Sequence, residues 1–290
     1  MPQVRDGSFS PTLFARYQRS APALIVALLE MVRNGVSTRK GAAVTAERCG
    51  TRFARSPVRQ LCSALDTRVQ AWPARALGAQ ADPFVVVDAL VVKVRRDEAG
   101  RATSALIVAG VNEQGMREGL GLCWGDSESE ATWAALCAWL KKRGVQGVEV
   151  LVSDHHTGVV KAAQRYFQGV IWQRCPGHLQ RNVLGRTPRH LRAQMAVGLR
   201  RILQAVDVPT ARAAFRALAA TLEGTADRAL IVLEEGLEDA LAVLVLPEKY
   251  RLRWRTPNGQ ERLNEEMRWR ERVLRIFPNE AAAVRMLGAL

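Results

Sequence analysis

Paired cysteines, long apolar runs and acidic residues are all scarce in this sequence. The 290 residues include five cysteines, an odd number, and no CxxC pair. This argues against a disulfide framework and is typical of a reduced, cytoplasmic protein. No apolar run approaches the roughly 20 residues that a membrane span needs. The polar start MPQVRDGSFS lacks the apolar segment of a signal peptide, so we expect no membrane partner.

The shortage of acidic residues leaves the chain strongly basic. There are 42 Lys and Arg against 28 Asp and Glu, which gives a net charge of +14 and a pI of about 10.5. Such a balance predicts a polyanionic partner, most simply nucleic acid. The alternative is a solvated surface of high charge. The apolar content of 48% is ordinary for a globular protein with a real core.

The first part of the chain predicts a basic arm followed by a small helical region. Residues 1–20 are polar and basic and are expected to be flexible. Residues 21–73 have the spacing of three short helices, with Gly35 at the end of the first and Ser56-Pro57 at the start of the third. A basic last helix that presents Arg59 is typical of a DNA-binding helix-turn-helix. A plain three-helix packing element or a dimerisation arm fits the same spacing.

From residue 83 the periodicity changes to strands, and residues 74–82 are interpreted as a linker. Residues 83–175 predict an α/β unit: three strands joined by short turns, then helix, strand, helix and strand. The predicted strands are Phe84–Val94, Ser104–Val111, Arg117–Trp124, Val148–Val152 and Gly169–Gln173, and the predicted helices are Ala131–Arg143 and Val159–Phe167. Residues 176–250 predict an all-helical insertion, and residues 251–290 the final helices of the same core.

Three carboxylates stand out by their positions in these elements. Asp88 interrupts a continuous apolar strand, where an ionisable group is unfavourable unless it is paired, protonated or bound to a metal. Asp154 follows the fourth strand, at the edge of the sheet where α/β proteins gather ligands. Glu261 begins a late helix, with Glu265 and Glu266 as rivals. Three carboxylates at one place are typical of a two-metal site for phosphoryl transfer.

Basic residues surround the last of these carboxylates, and a CxxH pair follows the fifth strand. The basic run contains Arg262, Arg268, Arg270, Arg272 and Arg275, and it predicts contact with a phosphate backbone. Cys175 and His178 form the CxxH pair. Further ligands at zinc spacing are lacking nearby, so we interpret the pair as structural, with a small buried cysteine and a hydrogen-bonded histidine.

Four separated motifs in this order resemble the Mutator family of bacterial insertion-sequence transposases. They are VDALVVKVR at 87–95, the stretch 125–158 ending in SDHHTG, WQRCPGHLQRNVL at 172–184 and PNGQERLNEEMRWRERVLRIFPN at 257–279. GVSTRK at 35–40 resembles the family as well. The resemblance implies an RNase H-like, retroviral-integrase-like catalytic core with a mixed five-stranded sheet, flanking helices, an all-helical insertion and an N-terminal helix-turn-helix region.

The resemblance also implies an activity and its residues. Asp88, Asp154 and Glu261 match the DDE triad, which implies Mg²⁺ or Mn²⁺, two ions, as cofactor. The implied reaction is strand cleavage and strand transfer at terminal inverted repeats, on double-stranded DNA and within a homo-oligomeric synaptic complex associated with the bacterial nucleoid. Arg39, Lys40 and Arg59 join Arg262, Arg268, Arg270 and Arg272 as the candidate DNA-binding residues.

Departures from the family pattern keep an alternative open. His155 stands where a small residue is usual, beside Asp154, and is expected to crowd the metal or compete as a ligand. Family members often have longer ends. The alternative is therefore a shortened, catalytically weak remnant that only binds DNA.

Overall fold

The computed structural model describes most of the chain from residue 71 onwards. The described ranges are 71–79, 81–96, 99–125, 129–245, 265–269 and 275–288, together with Met31, Val36, Val69, Ser127 and Arg272. The predicted basic arm and nearly all of the predicted helix-turn-helix region lie outside the described residues. Glu261, Arg39, Lys40, Arg59, Arg262 and Arg270 lie outside them too.

A mixed five-stranded sheet forms the centre of the fold, as the sequence predicts. Its order is β3-β2-β1-β4-β5; β1, β2 and β3 pair antiparallel, whereas β4 runs parallel to β1 and β5 parallel to β4. The strands are β1 Phe84–Arg96, β2 Ala99–Val111, β3 Arg117–Gly125, β4 Val150–Ser153 and β5 Ile171–Arg174. Short turns join the antiparallel strands, and helices make the parallel crossovers.

The starts of β2 and β4 differ from the prediction for physical reasons. β2 begins at Ala99 rather than Ser104, because the hairpin ladder continues outwards until Arg96 pairs with Ala99. The added residues 99–102 are exposed, so they lack the apolar pattern that marks a buried strand. β4 begins at Val150 rather than Val148, after Gly147 with a φ of 69°, a value that favours glycine and lies outside the β region.

Helices and irregular segments cover both faces of the sheet. Helices α1 Glu130–Lys142 and α2 Thr157–Tyr166 cover one face, where Val85, Val87 and Leu151 join a core with Trp133 and Leu140. On the other face, alternate residues of β1 such as Leu90 and Val92 pack against Met267 and Phe277. Side chains alternate between the two faces along a strand. Asp88, two residues before Leu90, therefore belongs to this second face.

The predicted helical insertion, residues 176–250, corresponds to a series of helices that begins directly after β5. Its helices are α3 Pro176–Arg186, α4 Arg192–Leu203, α5 Val208–Leu222 and α6 Asp227–Leu241. They enclose a core of their own, in which Leu179, Met195, Leu199 and Leu233 are fully buried. Residues 265–269 form part of a further helix, α7, and Glu280–Gly288 form α8.

Gln173, at the second-last position of β5, fastens this insertion to the sheet. It is fully buried. Its Nε2 donates to the carbonyl oxygens of Ala240 (2.5 Å) and Arg174 (3.0 Å), and its Oε1 accepts from the amide of Val243 (2.6 Å). The end of α6 and the following turn are thereby held against β5, close to the carboxyl edge of the sheet.

We expect Gln173→Leu to lower the free energy of unfolding by about 2–4 kcal/mol, because it leaves buried backbone groups without partners. Chemical denaturation measures this. The matched control is Gln164→Leu, since Gln164 is exposed on α2 and such changes stay within about 0.5 kcal/mol. Equal effects of the two changes would show that the Gln173 clamp has no stabilising role.

The segment interpreted as a linker packs on the core instead. Arg143, which follows α1, is buried and donates to the carbonyl oxygens of Arg75 (3.0 Å), Trp72 (3.2 Å) and Leu120. Leu77 lies in the core under α1. The sequence interpretation was wrong here because a guanidinium 68 residues away supplies the hydrogen bonds that a free linker would take from water.

None of the described helices has the length and apolar character needed to cross a membrane. Among the described residues, Cys123, Cys137 and Cys175 are free thiols.

Candidate active site

The sheet topology brings Asp88 and Asp154 together. β1 and β4 are parallel neighbours, with Val86 opposite Val152. Asp88 lies two residues after Val86 on β1, and Asp154 lies two residues after Val152, directly after the end of β4. The prediction that the first and fourth strands are adjacent is therefore confirmed, and both carboxylates lie at one place on the sheet.

Both carboxylates line one pocket of about 300 Å³. Its walls come from three sources: the interior of β1 with the end of β4, the helices α1 and α2, and the helices α3 and α7. The lining residues are Val87, Asp88, Ala89, Trp133, Ser153, Asp154, His156, Val159, His178, Arg181, Asn182 and Arg268. This is the lower end of the roughly 300–1,000 Å³ range of ligand pockets.

Asp88 is an acid held in an unfavourable place for a negative charge. It is 8% exposed. Burial raises the pKa of its carboxyl group, and the neighbouring Asp154 raises it further, while His178, a hydrogen bond from the amide of Ala89 (2.9 Å) and Arg268 act in the opposite direction. A carboxylate that burial and a second carboxylate both oppose is a group that a bound cation would stabilise.

Asp154 is oriented by its own chain rather than by burial. Its Oδ1 accepts a hydrogen bond from the amide of His155 (2.7 Å). The hydroxyl of Ser153 donates to the Asp154 carbonyl (2.8 Å) and accepts from the indole of Trp172 on β5 (2.8 Å). The aspartate therefore sits on backbone that is tied to the neighbouring strand.

His178 of the CxxH pair lines this pocket, which the sequence interpretation missed. His178 lies on the first turn of α3, with its Nε2 4.0 Å from Oδ1 of Asp88. Its Nδ1 is buried and has no hydrogen-bond partner among the described residues, so the expected hydrogen-bonded histidine is not what the structure shows. Burial raises the pKa of the Cys175 thiol to about 11, so the free thiol is protonated at neutral pH.

The two histidines after Asp154 have different surroundings. His155 turns towards Trp172, with the ring centroids 5.9 Å apart, and it is not among the pocket residues. The expectation that it crowds a metal was therefore wrong. His156 lines the pocket instead, and its Nδ1 accepts the amide of Gly158 (3.2 Å) as the cap of α2. The cap hydrogen bond fixes which of the two rings faces inwards.

The late basic helix reaches the pocket through Arg268. Its neighbour Met267 is 4% exposed and packs under the sheet, which turns Arg268 towards Asp88. Glu265 is exposed and does not line the pocket. Arg272, also predicted to bind DNA, is exposed.

The described residues supply two of the three carboxylates predicted to bind a divalent cation. Asp88 and Asp154 supply carboxylate oxygens, the ligands that Mg²⁺ takes in proteins. The described residues contain no group of three or more His, Cys, Asp and Glu that could hold a metal ion. Two carboxylates are in place there, and the third predicted one, Glu261, lies outside the described residues.

We expect Asp88→Asn to raise the free energy of unfolding in metal-free buffer, by about 0.5–2 kcal/mol at neutral pH. Burial raises the folded-state pKa of Asp88 above its unfolded value. The stability that this group contributes is therefore complete below the unfolded pKa of about 3.9 and is lost as pH rises through the folded pKa. The advantage of Asn should grow from acid to neutral pH in thermal melts. A constant difference across that range would contradict it.

Comparison with known proteins places the chain in a family. The model of the Mutator family of transposases matches residues 1–290. The transposase of IS256 in transposon Tn4001 from Staphylococcus aureus is 37% identical over 292 residues, which is all of this chain and 75% of that protein. The transposase of ISRM5 from Rhizobium meliloti is also 37% identical, over all of this chain and 73% of its own length.

One solved structure is also similar, at low identity. In the Drosophila P element transposase strand transfer complex, the match covers 95% of this chain and 80% of the transposase chain, at 11% identity and a TM-score of 0.40. We base no conclusion on this similarity. The sequence matches suffice by themselves. With a family model that covers every residue and relatives that are 37% identical over the whole of this chain, this chain belongs to the Mutator family of transposases.

Proposed function

We propose that this transposase is a DDE enzyme, which cleaves DNA strands at the terminal inverted repeats of an insertion sequence and transfers them to target DNA in a metal-dependent reaction. The observation that carries the proposal is the pocket in which Asp88 and Asp154 meet on adjacent parallel strands. Membership of a transposase family makes DNA the substrate. A net charge of +14 fits that substrate.

Asp88 and Asp154 would hold Mg²⁺ or Mn²⁺ between them, with Glu261 as the third carboxylate. Two such ions, when bound, polarise the scissile phosphate and stabilise the attacking and leaving oxygens. The chain itself supplies position and charge. Asp154 is fixed by Ser153 and Trp172. Arg268 carries a positive charge into the pocket beside Asp88, where it favours the ionised carboxylate and attracts a phosphate oxygen.

Arg268 also supports Glu261 over its rival. Glu261 precedes Arg268 by seven residues, a spacing that returns to the same face of a helix, and Arg268 faces the pocket. Glu265 is exposed and does not line the pocket. We therefore propose Glu261 as the metal ligand.

The proposed activity implies DNA and further copies of this chain as partners. We propose an RNase H-like core, a DNA-binding helix-turn-helix within residues 21–73 and assembly into a homo-oligomer on paired DNA ends, in the bacterial nucleoid. The mixed sheet with its parallel β1-β4-β5 half and the helices on both faces support the first of these. The remnant that only binds DNA is not favoured, because both described carboxylates of the triad are present and face one pocket.

The test is cleavage of a duplex that carries the inverted repeats of the element, with Mg²⁺ and with EDTA. We expect cleavage only with Mg²⁺ and none with Asp154→Asn. Asp154→Asn should still bind the duplex, with an affinity that falls steeply with salt. Cleavage that survives EDTA or the substitution would rule out the proposed chemistry.

A further inference from the structure

A second cavity lies beside the candidate active site and is lined by arginines. Its volume is about 680 Å³. It shares Arg181 and Asn182 with the first pocket, so the two cavities adjoin. The remaining lining residues are His155, Arg174, Gly185, Arg186, Val232 and Glu235. None of the arginines was singled out by the sequence as a functional residue.

One face of α3 runs along both cavities. His178 faces the first, Arg181 and Asn182 face both, and Gly185 and Arg186 face the second. These positions follow the three- and four-residue spacing of one helical face. From His178 to Arg186 the helix rises about 12 Å. A strand bound at Asp88 and Asp154 would therefore meet positive side chains as it leaves the first pocket.

Arg174 is the buried arginine of the second cavity. It ends β5 and pairs with Ser153 of β4, so it stands at the same edge of the sheet as Asp154. It is only 6% exposed. Its Nε has no hydrogen-bond partner, and its guanidinium forms no ion pair within the part of the chain that the structure describes. A buried charge without a partner among the described residues is unfavourable, and an anion in the cavity would stabilise it.

Gly185 keeps the cavity open without a structural need. It is the second-last residue of α3. Its φ is not positive, and no described atom lies within 4 Å of where a Cβ would stand. Packing and backbone geometry among the described residues would therefore accept a side chain. A close approach of a ligand to the helix explains the glycine.

We propose that this second cavity binds a phosphodiester group of the DNA strand that enters the active site, with Arg174, Arg181 and Arg186 as its ligands. Arginine is suited to phosphate because its guanidinium donates two parallel hydrogen bonds. Glu235 is the one acidic residue among the lining residues, so three arginines against one carboxylate leave the balance of charge positive. Asn182 adds a neutral donor. The inference rests on the proposed function, since it names where its DNA substrate is held.

The test uses three variants of the full chain. Arg174→Met removes the buried charge at similar length, Gly185→Leu fills the cavity and leaves every charge in place, and Arg216→Met removes an exposed arginine on α5 outside the cavity. Two quantities are measured without metal: the rise of the melting temperature with pyrophosphate, and the affinity for duplex and single-stranded DNA over a range of salt.

We expect pyrophosphate to raise the melting temperature of the wild type and of Arg216→Met, but not of Arg174→Met or Gly185→Leu. The affinity for DNA should fall roughly ten-fold in Arg174→Met, with a salt slope lower by about 0.9. The melting temperature of Arg174→Met without ligand should equal or exceed that of the wild type. A marked fall would show that the arginine is structural and overturn the proposal.

Two other outcomes separate the possible errors. A pyrophosphate response that is lost while DNA binding keeps its affinity and salt slope would mean a site for free phosphate, which overturns the assignment to the DNA strand. Unchanged pyrophosphate binding in Arg174→Met and Gly185→Leu would remove the site altogether. Cleavage that survives Asp154→Asn refutes the proposed function alone, because the pyrophosphate measurement needs neither metal nor cleavage.

Discussion

Asp88→Asn and Asp154→Asn are each expected to reduce magnesium-dependent DNA cleavage by about a thousand-fold or more, because losing a metal ligand removes several kcal/mol of transition-state stabilisation. DNA binding should change little, since the phosphate contacts come from arginines. Single-turnover cleavage at saturating protein separates the two quantities. The expected gain in stability of Asp88→Asn excludes unfolding as the cause of its loss of activity.

Asp82 provides a matched control for this experiment. It is a buried aspartate just before β1, and burial raises the pKa of its carboxyl group as it does for Asp88. It does not line the pocket. Asp82→Asn should therefore cleave at a rate close to the wild type. Equal losses in Asp82→Asn and Asp88→Asn would mean that a general effect of buried charge, not metal binding, explains the result.

Glu261→Gln is expected to abolish cleavage to the same degree, whereas Glu265→Gln should stay within a few-fold of the wild type. The reason is geometric: Glu265 is exposed and does not line the pocket, although Arg268, three residues later, does. Both substitutions keep size and remove one charge, so each serves as the control of the other. Cleavage rates in Mg²⁺ decide between them.

The opposite result for the two variants would assign the third metal ligand to Glu265 instead of Glu261. If Glu265→Gln abolished cleavage and Glu261→Gln did not, the helix would present a different face to the pocket from the one that Arg268 indicates. If both variants cleaved normally, the third ligand would have to come from elsewhere, and the triad read from the sequence would be wrong.

Much of the fold follows from local sequence. Five apolar runs with turn residues between them predict the five strands, since β propensity and burial act together there. The ladder continues to Ala99 through exposed residues, which pattern alone does not mark. Arg143 and the segment around Trp72 and Leu77 were missed because their hydrogen bonds join residues far apart in the chain.

The candidate site was predictable in its carboxylates but not in its surroundings. Asp88 is conspicuous because charge is rare in a buried strand, and Asp154 because it follows one. The rule that ligands gather at the carboxyl ends of parallel strands also applies to β5, which ends at Arg174. His178, the third residue of the following helix α3, lies close to Asp88. His178 was interpreted as structural because further zinc ligands are lacking nearby, and Arg174 was overlooked because arginines are common in this basic chain.

Measurement of bound Mn²⁺ tests the central claim, that Asp88 and Asp154 share a divalent cation. Titration with Mn²⁺ followed by electron paramagnetic resonance counts the bound ions without DNA or turnover. We expect the wild type and Asp82→Asn to bind Mn²⁺ alike and the double variant Asp88→Asn, Asp154→Asn to lose this binding. Equal Mn²⁺ binding by the wild type and the double variant would contradict the claim.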